Sequence, residues 1–115
     1  MDERDKRFAC KCCGVNYIDP RVIPLHKEIE IYAGEKLVVT SGYRCEKHNR
    51  DVGGTKTSSH VKGLAWDVAC DSSDLRFRLV AAAIRVGIAR IGIGKNFMHF
   101  DIDRQKTRQV IWLYS

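Results

Sequence analysis

His60 and Asp67 sit close together in Ser58-Ser59-His60-Val61-Lys62-Gly63-Leu64-Ala65-Trp66-Asp67, and a further histidine, His99, lies in Phe97-Met98-His99-Phe100-Asp101. Two imidazoles and one carboxylate are a standard ligand set for a catalytic zinc, which takes three protein ligands and keeps a fourth position for water. Such an ion acidifies its water and polarises a carbonyl, the chemistry of amide hydrolysis. The residue types also allow a plainer reading, with His60 a solvated loop histidine and the other two paired to ordinary donors. Asp67 needs some such partner in either case. It stands among Ala65, Trp66 and Val68, and burying an unpaired carboxylate is costly.

The elements that would position these groups follow from local pattern. Residues 1–7 are charged and read as a flexible leader, with one domain over 8–115. A first helix is expected over 20–33: Pro20 suits a first turn, Pro24 delays the regular helix, and Gly34 stops it. Leu25, Ile29 and Tyr32 recur at helical spacing and should face the core. Residues 36–41 read as a strand, then 42–62 as a long polar loop, which in a compact domain is usually functional. A strand over 64–69 points Asp67 away from Trp66 and Val68. Ser72 or Ser73 caps a helix over 74–86 with Leu75, Leu79, Ala82, Ala83 and Val86 inward. Strands over 90–93, 97–103 and 108–114 follow, the first two joined by a hairpin at Gly92–Asn96. In the second of them Phe97, His99 and Asp101 share one face. The expected fold is α+β: a single small domain, a mostly antiparallel sheet and two main helices.

Bulk composition narrows the classes. The chain has 115 residues, 44% of them hydrophobic, enough for one modest core and too many for a disordered segment. No run approaches the roughly 20 apolar residues of a membrane span. The first residues carry no apolar signal region, so the expectation is synthesis in the cytoplasm without a signal peptide. The net charge of +6 favours acidic partners, including an anionic wall polymer. No nucleic-acid-binding motif accompanies it. Five cysteines leave at least one unpaired within the chain. Cys10 and Cys13 form a Cys-x-x-Cys pair, with Cys12 between them and Cys45 available to join. Free thiols and a structural zinc both fit, and no second Cys-x-x-Cys is present.

Ser41-Gly42-Tyr43-Arg44, then Asn49 with Gly53-Gly54, then Ser58-x-His60-x-x-Gly63-x-Ala65-x-Asp67, then His99-x-Asp101 resemble the zinc D-Ala-D-Ala carboxypeptidase and phage endolysin peptidase family. That family shares a superfamily with the hedgehog signalling domain. Phe8-Ala9-Cys10-Lys11-Cys12-Cys13-Gly14 is also similar to the start of small members, so the likeness runs from about Phe8 to Asp103. The resemblance implies Zn2+ on His60, Asp67 and His99, and a hedgehog/DD-peptidase-like fold. It implies Arg44 beside the metal, binding substrate or the developing oxyanion, where a planar, always-charged fork of donors suits the task. Ser58 would support a ligand or touch substrate.

One departure concerns the general base. Well-known members place Glu or Asp three residues before the last histidine, or His two before it; here Asn96 and Phe97 occupy those positions. Asp101 is the first substitute, although it could equally be a partner that holds His99. His48 is the second. The function expected from the resemblance is hydrolysis of peptidoglycan stem-peptide amides, of D,D-carboxypeptidase or L-Ala–D-Glu endopeptidase type. It would be performed by a monomer released to the wall as a phage lysis or virion protein, with no nucleic-acid or membrane partner. The alternative is a non-catalytic zinc-containing module of the same fold.

Overall fold

The computed structural model describes residues 5–114. Its helices are α1 (Val22–Ala33), α2 (Glu46–Asp51) and α3 (Ser73–Arg85), preceded by a 3-10 turn at Lys6–Phe8. Its strands are β1 (Val39–Ser41), β2 (Ala65–Ala69), β3 (Arg90–Ile93), β4 (Phe97–Asp101) and β5 (Val110–Leu113), ordered β1-β2-β4-β3-β5 in one sheet. Neighbours run antiparallel except β3 and β5, which are parallel. The fold is therefore α+β with a mostly antiparallel sheet. Among the described residues no helix is long and apolar enough to cross a membrane.

Strand alternation divides the sheet into two unlike faces. Trp66, Val68, Ile91, Met98 and Phe100 are fully or almost fully buried, and the helices cover them: α1 packs on α3, and α3 on β4. Ile29, Leu79, Ala82 and Ala83 supply the helical side of this core. The opposite face carries a row in register across the whole sheet: Ser41 opposite Asp67, Asp67 opposite His99, His99 opposite Gly92, Gly92 opposite Trp112. Helix ends follow local chemistry. Ser72 Oγ accepts from the Leu75 N–H, and Gly34 takes the left-handed conformation (φ 80°) that ends α1.

The structure departs from the sequence expectations in four places. Beside the two main helices, a third among the described residues, Glu46–Asp51, coils inside the segment expected to be a loop over 42–62. Only Asn49 of α2 is buried, so it carries no apolar stripe to reveal it. The first strand is confined to Val39–Ser41. Tyr32 lies half outside, beneath the Arg85 guanidinium at 4.1 Å, while Ile29 goes inward as expected. In the expected leader, residues 1–4 lie outside the described residues. Residues 5–7 are folded, with the Asp5 carboxylate accepting from the Arg7 backbone and side chain.

Candidate active site

Each member of the trio arrives on a different piece of chain. Asp67 and His99 face one another on adjacent strands, and the loop before β2 brings His60 over them. One ligand atom from each of the three lies within 4.8 Å of the others. Asp67 Oδ1 is the hub, 2.9 Å from His99 Nδ1 and 3.3 Å from His60 Nε2. All three residues are buried.

The nitrogens turned away from this point are also committed. His60 Nδ1 lies 2.8 Å from the Gly42 carbonyl, which can only accept, so Nδ1 carries the proton and Nε2 is left to face Asp67. His99 Nε2 lies 2.7 Å from Asp101 Oδ2, an arrangement that orients Nδ1 toward Asp67. A carbonyl behind one imidazole and a carboxylate behind the other is how metal-ligating histidines are held. The donor set thus fits zinc: two aimed nitrogens and a carboxylate, one short of tetrahedral closure.

Without a metal, the cluster satisfies itself electrostatically. Burial alone would raise the Asp67 carboxyl, but hydrogen bonds and charge from His60 and His99 hold it well below the usual carboxylate range. Burial alone would lower His99, but Asp101 and Asp67 raise it.

Arg44 reaches the same point from the chain before α2. Its Nη2 lies 3.7 Å from Asp67 Oδ2, its Nε donates to Ser41 Oγ and its Nη1 donates to Asn49 Oδ1. Asn49 is fixed in turn by donating to the Thr55 carbonyl. Ser58 Oγ accepts from the His60 N–H at 3.2 Å, which steadies the ligand-bearing loop.

The two residues considered as proton carriers, Asp101 and His48, stand in different surroundings. Asp101 is 1% exposed and both its oxygens are engaged, Oδ2 with His99 and Oδ1 with Arg90 Nε at 2.8 Å and the Asp103 N–H. Its bonds make it the partner that holds His99. His48 does not line the cavity around the trio; it sits on α2, with its N–H directed to Cys45 Sγ. Asn96 also lies elsewhere, in a shallow depression beside Leu37 and Cys70.

The trio opens into a cavity of about 370 Å³ whose lining includes Arg44, Ser58, Phe97, Lys106, Trp112 and Tyr114. Sequence reasoning missed the aromatic wall. The His99 and Trp112 ring centroids are 5.4 Å apart, and Phe97 and Tyr114 are 5.0 Å apart. Gly92 permits it: a Cβ there would stand 2.6 Å from Tyr114 Cε2 and 2.8 Å from Trp112 Cε2. Alternation over 110–114 puts Trp112 and Tyr114 on one face, but only the parallel pairing of β5 with β3 shows that this face is the site's. Ser59 and Lys62 were missed too. Both donate to Asp103 Oδ2, at 2.8 and 3.0 Å, tying the His60 loop to the end of β4.

No curated protein matches the chain. A family model described as Peptidase M15 matches residues 7–103, a span that begins within the 3-10 turn and contains Arg44, His60, Asp67, His99 and Asp101. With the match covering most of its length, the chain belongs to the peptidase M15 family of zinc-dependent peptidases.

Proposed function

We propose that the protein is a zinc peptidase that hydrolyses amide bonds in peptidoglycan stem peptides, with His60 Nε2, Asp67 and His99 Nδ1 as the metal ligands. The observation that carries this reading is the convergence of those three atoms at the base of an open cavity, each histidine held from behind. A zinc ion there supplies Lewis acidity and an acidified water.

The chain's own residues do the rest. Arg44 offers its guanidinium where negative charge develops on the scissile carbonyl, and burial keeps that charge from being screened. Lys106 and Arg44 give the cavity positive charge suited to the carboxylates of a stem peptide. Trp112 and Tyr114 form a wall against which the peptide backbone or an alanyl methyl packs. Asp101 and the Gly42 carbonyl keep both imidazoles aimed.

The test is incubation of the zinc-loaded protein with purified peptidoglycan, reading new amino groups and identifying products by mass. Released D-alanine assigns the carboxypeptidase type, and an exposed D-glutamate amine assigns the endopeptidase type. Absence of both, with zinc bound, contradicts the proposal.

One observation favours a second reading, a zinc-holding recognition module without turnover. Among the described residues that line the cavity, every carboxylate and imidazole belongs to the trio or is Asp101, which is fully engaged. Tight binding of stem peptides without cleavage would select it.

A further inference from the structure

Away from the cavity, four of the five cysteines meet. Cys10, Cys12, Cys13 and Cys45 place their sulfurs within 4.8 Å of one another, with Cys12 Sγ 3.6 Å from Cys45 Sγ. All are free thiols, and the fifth, Cys70, is buried alone near Ser72. The odd count is thereby divided into a group of four and one core thiol.

We infer that Cys10, Cys12, Cys13 and Cys45 are the four ligands of a second metal site, which takes one zinc-class divalent ion in tetrahedral thiolate coordination. Zinc–sulfur bonds of about 2.3 Å make a tetrahedron with sulfur–sulfur edges of about 3.8 Å, so side-chain movements of about 1 Å close the site. A disulfide, at about 2.05 Å, would join only two of the four and leave the others facing it.

Two further features point to negative sulfur. The chain folds round the group so that backbone N–H groups aim at it: Cys45 N–H donates to Cys10 Sγ and His48 N–H to Cys45 Sγ, both at 3.4 Å. Gly14, in the left-handed conformation (φ 76°), turns the segment back after Cys13 and donates to the Cys10 carbonyl. The sulfurs are also crowded: four thiolates within 4.8 Å of one another repel, and a divalent cation at their centre removes that conflict. On loading, the protons still on sulfur leave to solvent as metal–sulfur bonds form, with no change in oxidation state.

The site differs in kind from the open one. Four protein ligands leave no position for substrate, so its role is structural. It clamps the segment after the 3-10 turn to Cys45, the residue next to Arg44. The Tyr43 N–H already bonds the Phe8 carbonyl there at 2.8 Å. The clamp therefore fixes the piece of chain that presents Arg44 to the cavity.

The test is cobalt(II) reconstitution of the full-length wild-type protein under reducing, oxygen-free conditions. Two cobalt ions per chain are expected, with strong near-ultraviolet sulfur-to-cobalt charge transfer. His60→Ala should lose one ion and keep that absorption. Cys13→Ser should lose the four-sulfur signature and keep the ion bound through His60. X-ray absorption at the zinc edge of wild-type protein gives a reading that needs no variant to fold, with sulfur expected as the main scatterer at one of two sites. A single ion per chain without charge transfer, or a disulfide among the four in protein kept reduced, overturns the inference. None of these readings depends on hydrolysis.

Discussion

The chain gathers metal-binding side chains at two places and builds them by opposite means. His60, Asp67 and His99 are all buried, and two of the three are fixed by the register of adjacent strands. Cys12 and Cys13 are exposed and Cys45 half-buried, and their sulfurs come from a turn and a helix end. In the first group the backbone exists independently of any ion, since the sheet and its core hold it. In the second, the proposed ion adds a tie to the backbone bond that already joins Tyr43 to Phe8. The first keeps an open side toward a cavity and suits catalysis; the second closes on itself and suits structure.

The comparison is broken most severely at the ligands. His60→Ala should abolish hydrolysis and remove one zinc per chain, read by metal analysis alongside amine release, while circular dichroism stays native. Arg44→Lys keeps the charge and loses the planar fork that engages Ser41, Asn49 and Asp67. We expect kcat/KM to fall by roughly 10²–10³ with zinc content unchanged; wild-type kinetics in that variant would remove Arg44 from the reaction. Asp101→Asn weakens the grip on His99 Nε2 and should lower zinc affinity by about 10- to 100-fold, measured by competition with a chelator. Gly92→Ala pushes Trp112 and Tyr114 off their places and should raise KM a few-fold with kcat nearly intact.

Acidity sharpens the contrast further. In protein stripped of metal, His99 has a raised pKa, so its contribution to stability is complete below about pH 6.5 and is lost as pH rises through the folded value. Asp67, held low, contributes above about pH 3.9 and is lost only as pH falls through its depressed value. Stripped protein should therefore lose stability on going alkaline. Zinc-loaded protein should gain, because the ion competes with protons for the same nitrogens. Thermal melts across pH with and without chelator read both slopes; parallel slopes would contradict the ligand assignment.

How much of this was legible in the sequence depends on whether a feature is local. Alternation over Ala65–Ala69 and Phe97–Asp101 was enough to place Asp67 and His99 on the face away from Trp66, Met98 and Phe100, as the structure has it. The helix after Ser72 announced itself by a cap and an apolar stripe. The short α2 did not, because its stability comes from Cys45 and Asn49 contacts and not from a buried face. Trp112 and Tyr114 escaped notice because β5 joins the sheet out of chain order, beside β3. The surroundings of the two suggested proton carriers were hidden for the same non-local reason: Asp101 meets Arg90 on the next strand as well as His99, and His48 sits outside the cavity lining.

The most direct test of the central claim is a zinc titration into stripped protein, following amine release from peptidoglycan and bound metal together. Hydrolysis should rise in proportion to the occupancy of one zinc, and His60→Ala should show none at any concentration while remaining folded. Undiminished hydrolysis in that variant, or a fully loaded wild-type protein that releases no amine, would contradict it.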